Sequence, residues 1–219
     1  MSPTADTPIA EIPGDLLRRG ILDRLRSLIG DSIADSLIKP SDDLWVRVKP
    51  EAWRRTARVL RDEMGFEYFC FLSAMDWMPS PFGKSEDDPT DEAPPRDDTI
   101  KQGYAGGDTR FQVLARLYSL KQHVGIILKV DVEDRGAVDS WVPVFAGANW
   151  HERETWEMFG ISFTGHPDLR KMYLPGDFEG NPLRKDFPLL ARIIKPWPGI
   201  VDVEPLPGAA DDEEGAAAE

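Results

Sequence analysis

Apolar residues along the chain recur first at helical and then at strand spacing. Leu16, Leu17, Ile21, Leu22, Leu25, Leu28 and Ile29 share a period near 3.6 and stop at Gly30, which predicts a first amphipathic helix. Gly20 weakens its middle. Leu44 to Val48 reads as a short strand. Pro50 then suits the first turn of a second helix carrying Trp53, Ala57 and Leu60 on one face and ending at Gly65. Phe66 to Met75 is apolar, aromatic and of strand length. Phe111, Val113, Ala115 and Leu117 alternate with Gln112 and Arg116, the period-2 pattern of a half-buried strand. Lys121-Gln122 turns the chain into a further long strand, Val124 to Val132.

The order αβαβββ predicts a small two-layer α+β domain over residues 14–160, with a mixed or antiparallel sheet. Within it a helical piece runs from about Ser140 to Ala146 and breaks at Gly147. Another helix starts at Asn149, where Asn149 and Glu152 have capping-box spacing, and ends at Gly160. Residues 161–207 then hold eight prolines and no sustained period, which prevents both helix and central strand. The stretch is nevertheless rich in apolar side chains, from Ile161 and Phe163 to Trp197. An extended proline-rich arm over 161–201, lying along a partner protein, is predicted.

Composition supports a real core: the 219 residues are 41% hydrophobic. The net charge of −13 argues against a nucleic-acid partner, which requires a basic surface. Most of that charge is local. Residues 79–108 hold eight acids, three bases and five prolines, and residues 202–219 hold seven acids and no base. They are predicted as an acidic disordered insertion and an acidic disordered tail, and residues 1–13 as a flexible N-terminus. Residues 149–200 are balanced at seven acids and seven bases. The start of the chain lacks the basic character of a secretory signal, and no run reaches the ~18 apolar residues of a membrane span, so a soluble intracellular chain is expected. A single cysteine, Cys70, excludes a disulfide or a four-cysteine metal site within this chain, and its apolar setting predicts a buried thiol.

Chemistry-bearing motifs are few. His151-Glu152-Arg153-Glu154-Thr155 resembles a zinc-protease helix, but Thr155 replaces the second histidine, and His123 and His166 lie in unrelated contexts. Gly103 to Gly107 lacks the Lys and Ser/Thr of a phosphate-binding loop. Glu152 and Glu157 could make a stand-alone carboxylate hydrolase, although one helix does not place two carboxyls across a substrate. Glu152 shares a face with Trp156 and Phe159, which suits a partly buried ion pair with an arginine. Arg153 and Glu157 have i,i+4 spacing, worth ~0.2–0.5 kcal/mol. In the arm, Asp177-Phe178-Glu179-Gly180 and Arg184-Lys185-Asp186-Phe187-Pro188 read as an interface strap, with charged pairs setting register and Phe178 and Phe187 filling pockets.

These residues carry a resemblance. Glu152-Arg153-Glu154-Thr155-Trp156-Glu157-Met158-Phe159-Gly160-Ile161 is followed by Gly165-His166-Pro167-Asp168-Leu169-Arg170-Lys171-Met172. Asp177-Phe178-Glu179-Gly180-Asn181-Pro182-Leu183-Arg184-Lys185-Asp186-Phe187-Pro188 completes the run. The ordered set resembles the 30 kDa subunit family of respiratory complex I, the C-type subunits of bacterial NADH:quinone oxidoreductases. The resemblance implies a small α+β domain in the peripheral arm of a proton-translocating complex, on the cytoplasmic face of the cell membrane and touching the membrane only indirectly. It implies that NADH, FMN, iron–sulfur clusters and quinone belong to other subunits. This chain would hold no cofactor, no metal and no catalytic residue. The implied partners are the 49 kDa-type quinone-site subunit, met through the C-terminal strap, and other peripheral-arm subunits. Related membrane-bound hydrogenases and F420-dependent quinone oxidoreductases use an equivalent subunit, which stands as the alternative. The acidic insertion and the acidic end depart from the family's pattern.

Overall fold

The predicted apolar periods assemble into a five-stranded mixed sheet in a computed structural model, which describes residues 13–80 and 99–188. The elements run α1 (Pro13–Ile29), β1 (Ile33–Ile38), β2 (Leu44–Val48), α2 (Trp53–Asp62), β3 (Tyr68–Asp76), β4 (Phe111–Ser119) and β5 (Val124–Val132). β6 (Ala137–Asp139), α3 (Ala148–Phe159) and β7 (Ser162–Thr164) follow. The sheet order is β1-β2-β5-β4-β3, and β6 pairs with β7 as a separate parallel ribbon. Within the large sheet β2 and β5 are parallel and all other neighbours antiparallel. The β4–β5 pair is therefore inserted between β2 and β3, the two strands that α2 connects.

Register explains the core. Val46, Leu128, Ala115 and Leu72 form one row across four strands, and Val48, Val130, Val113 and Ala74 the next. All but the half-buried Ala74 are buried, and they belong to one cluster with Ile21, Leu22, Leu25 and Ile29 of α1 and Trp53, Ala57 and Leu60 of α2. Each fully buried aliphatic side chain contributes ~1.5–3 kcal/mol relative to exposure. Leu16 and Leu17, which share the helical period, remain exposed. Pro50 opens a 3-10 turn before α2, and Gly160 closes α3 in the left-handed region at φ 77°.

The opposite sheet face is closed differently. Lys129 is fully buried, and its ammonium donates to the carbonyls of Tyr104 (2.8 Å) and Gly106 (3.0 Å). Arg47 donates to Ala105 O, and Gln112 to Gly106 O. The last ten residues of the predicted 79–108 insertion, 99–108, thus include a turn fastened to β2, β4 and β5. Residues 81–98 lie outside the described residues. So do residues 1–12 and 189–219, which hold the predicted N-terminal segment, the rest of the arm and the acidic tail.

Four local expectations differ from the structure. β1 has no counterpart among the predicted strands, because Ile33-Ala34-Asp35-Ser36-Leu37-Ile38 has no clear alternation and lies at the sheet edge. Ser140 to Ala146 forms turns rather than a helix; Pro143 interrupts the segment, and Val144 and Phe145 N–H both bond Trp141 O. Asn149 is not a cap: α3 begins after Gly147 without a side-chain cap bond. Cys70 is half-buried, with Arg116 Nη1 3.1 Å from its sulfur.

The predicted arm folds back in its first half. Ile161 and Phe163 enter the core cluster, Ser162–Thr164 forms β7, and residues 169–187 return across α3 and the ends of β3 and β4. No helix among the described residues is long and apolar enough to cross a membrane.

Candidate functional site

Helix α3 and the strap after β7 bring together most residues singled out from sequence. Glu157 is buried, and its carboxylate accepts the backbone N–H groups of Met172 (2.9 Å), Tyr173 (3.0 Å) and Leu174 (2.7 Å). Burial alone would raise its pKa, but these three donors, helped by Lys171, hold it below the usual carboxylate range. The Lys171 ammonium faces the other way along the same loop and donates to the carbonyls of Pro175, Gly176 and Phe178. Arg153 donates to Arg170 O and Lys171 O. The expected Arg153–Glu157 pair is replaced, because each side chain finds strap backbone instead.

The strap next covers the C-terminal end of α3, where helix carbonyls lack intrahelical donors. Asn181 Nδ2 donates to Glu157 O (2.8 Å), Leu183 N to Met158 O (3.1 Å) and Arg184 Nη1 to Phe159 O (3.3 Å). Phe159 itself is buried in the core. A side chain at Gly160 would sit 2.9 Å from Asn181 Oδ1, so glycine is required there by closeness as well as by its positive φ.

A third anchor holds the end of the strap. Asp76, at the end of β3, has a fully buried side chain that pairs with Arg110 and accepts the N–H groups of Met78 and Lys185. Burial would raise its pKa, yet Arg110 and the two amides bring it below the ordinary value. Asp186 bridges Arg110 (3.1 Å) and Arg184 (3.4 Å), and Arg184 also pairs with Asp134 at 2.8 Å. Both guanidinium groups stand 4.6 Å from the Phe111 ring. Phe178 and Phe187 contact each other, with ring centroids 6.0 Å apart.

The remaining predicted residues take lesser places. Glu154 accepts from Tyr173 OH, and His166 Nε2 lies 3.2 Å from Asn149 O. Exposed Arg170 pairs with Asp168, while Asp177 and the Lys185 side chain face solvent. Glu152 is fully buried but meets no arginine: it accepts Ser140 Oγ–H (2.6 Å) and Trp141 N–H (2.5 Å). Sequence reasoning misses Asp76 and Arg110, and it quotes Lys171 and Asn181 within the resembling run without giving either a role of its own. The lone acid closing the apolar run Phe69 to Met75 is the available signal for Asp76.

Glu152 and Glu157 are thus both buried and hydrogen-bonded within their own chain, and they are not presented as an open carboxylate pair. Among the described residues no group of three or more His, Cys, Asp or Glu could hold a metal ion. Trp150 at the start of α3 and Tyr173 and Leu183 in the strap are exposed. Exposed aromatic and leucine side chains of this kind are suited to protein contact.

Comparison with known proteins identifies relatives of this chain. A family model described as "Respiratory-chain NADH dehydrogenase, 30 Kd subunit" matches residues 46–192, which include α3 and the described strap. The C-type subunit of the NADH-quinone oxidoreductase of Roseiflexus sp. (strain RS-1) is 38% identical over 177 residues, covering 80% of this chain and 86% of that protein. Its counterpart from Methylobacterium sp. (strain 4-46) is 34% identical over 173 residues, 78% of this chain and 67% of the relative. A longer NADH-quinone oxidoreductase protein of Photorhabdus laumondii, whose name joins the letters C and D, is 44% identical over 103 residues, 47% of this chain and 17% of that protein. Among solved structures, a chain of the membrane-bound sulfane sulfur reductase, an archaeal respiratory membrane complex, superposes with a TM-score of 0.58 at 17% identity. That match covers 79% of this chain and 86% of the other, and at this identity it shows a shared fold.

Proposed function

Because the chain belongs to the respiratory-chain NADH dehydrogenase 30 kDa subunit family, we propose that it is a non-catalytic structural subunit in the peripheral arm of an NADH:quinone oxidoreductase. It docks beside the 49 kDa-type quinone-site subunit and contacts other peripheral-arm subunits, on the cytoplasmic face of the membrane. NADH, FMN, iron–sulfur clusters and quinone are carried by those other subunits. The observation that carries this reading is the strap. A proline-rich segment without repetitive structure is fixed at three places by buried carboxylates and helix-end carbonyls, so its outer side chains are presented without further ordering. Pre-ordering reduces the entropy lost on association.

The relative with the joint C/D name supports a D-type neighbour, since there this module is part of one longer polypeptide. The domain reading follows: the sheet domain is the body, and the arm from residue 161 provides the interface. Glu154, His166, Arg170, Asp177, Phe178 and Lys185 lie on or just beneath that interface, Arg153, Glu157, Phe159, Arg184, Asp186 and Phe187 shape it, and Glu152 holds the other side of α3 to Ser140 and Trp141. The equivalent subunit of a related membrane complex has the same fold, but the 38% and 34% identical relatives favour the NADH-linked complex.

Affinity isolation of the tagged full chain from its own membranes in mild detergent tests this. Co-purification of a 49 kDa-type subunit with NADH:quinone reductase activity is expected. Recovery of the chain alone, or with hydrogenase-type subunits and no flavin-binding NADH module, overturns it.

A further inference from the structure

Glu152 is a fully buried carboxyl whose hydrogen-bond partners are both neutral: the Ser140 hydroxyl and the Trp141 amide. Arg54 of α2 is the nearby cation, and two of its three nitrogens are committed elsewhere. Nε bonds Ser140 O and Nη2 bonds Thr164 O, with Asp139 of β6 at 3.4 Å. The other titratable groups at this junction are His151, on α3 itself but turned to the Leu72 backbone of β3, and His166, which faces Asn149 O beyond β7. Ser140 is the shared post. Its N–H bonds Thr164 O, its carbonyl takes Arg54, and its hydroxyl takes Val142 N–H while donating to Glu152. Trp141, whose amide is the second donor to Glu152, stacks on Trp53 at 4.5 Å.

We propose that Glu152 carries an exchangeable proton in the folded chain, and that its gain or loss sets how firmly the end of the β6–β7 ribbon is held to α3. A buried carboxylate whose hydrogen-bond partners are all neutral is costly to ionise, whereas the neutral acid fits the same slot and keeps the Trp141 bond. When the proton leaves, the anion draws on the Ser140 hydroxyl and pulls against Arg54, and the ribbon end shifts with Ser140. Burial, partly offset by Ser140, Trp141 and Arg54, raises the Glu152 pKa to about 7, so the change falls in the neutral range.

Amide NMR spectra of the full chain, recorded between about pH 5 and pH 9, follow Ser140, Trp141 and Thr164 directly. A shared titration near pH 7 is expected, absent in E152Q and retained in H151Q. Persistence of the titration in E152Q, or its loss in H151Q alone, overturns the proposal by assigning the proton to a histidine. Infrared spectra of the wild-type chain give a readout that needs no variant: a protonated-carboxyl band that persists at about pH 6, above the range of ordinary carboxyl groups, and disappears by about pH 8. A chain showing neither the band nor the amide titration refutes it.

Discussion

Two glutamates on α3 show how neighbouring side chains of one type are driven in opposite directions. Glu157 meets three N–H groups and favours its charge; Glu152 meets a hydroxyl and one amide in a fully buried site and resists it. The signs follow from linkage. Glu152, raised on folding, stabilises most at acid pH, and its contribution is lost as pH rises through about 7. Glu157 and Asp76, lowered on folding, contribute above their unfolded values and lose that contribution as pH falls through their folded ones. Stability measured by denaturant titration should therefore peak at mildly acidic pH. Glu157→Gln should flatten the acid limb. Glu157→Ala should cost about 2 kcal/mol, because charge-assisted bonds are lost while the freed loop regains water. A Glu157→Ala chain with unchanged stability would show that the strap does not depend on this carboxylate.

At the scale of elements, the strap behaves as an added layer whose fixings can be cut singly. Asp76→Asn removes the charge that holds Arg110 and the Lys185 amide, at a cost of about 2 to 3 kcal/mol. Tryptic cleavage after Arg184 and Lys185 should accelerate about tenfold, with the far-ultraviolet spectrum of the sheet preserved. Unaltered cleavage would mean that the end of the strap is held by other contacts. Elements with a strong period of their own are legible in sequence: β4 and β5 follow their apolar spacing closely, and α1 and α2 do so to within about three residues at their ends. β6 and β7 are not, because three-residue strands carry no pattern and these two pair across the whole of α3. The strap anchors are hidden for the same reason. Composition marks residues 161–187 as apolar and in need of cover, but a carboxylate that bonds backbone amides fifteen or so residues away leaves no trace in residue type. Glu152 imitates a capping partner because its spacing from Asn149 matches a local rule, while the structure gives it to Ser140.

Across the whole molecule, charge is sorted as well as balanced. The strap's Lys171 and Arg184 turn inward onto carbonyls and carboxylates, while Asp177 and Glu179 remain outside. The sheet carries its own cations inward too, Lys129 and Arg47 fastening the 103–106 turn. The parallel contact between β2 and β5 also governs the order of events when the chain folds. Val46 and Leu128 are register partners roughly eighty positions apart, whereas β4 and β5 are joined by a short turn. Closing the larger loop costs more chain entropy and rewards it only when β5 already offers an edge. Val46→Ala should therefore speed unfolding by about tenfold and leave the folding rate nearly unchanged, and Ala115→Gly in β4 should slow folding. Equal slowing of folding by both would place β2 in the nucleus. The β1–β2 pair is thus expected to join the β4–β5 pair late and to leave it early.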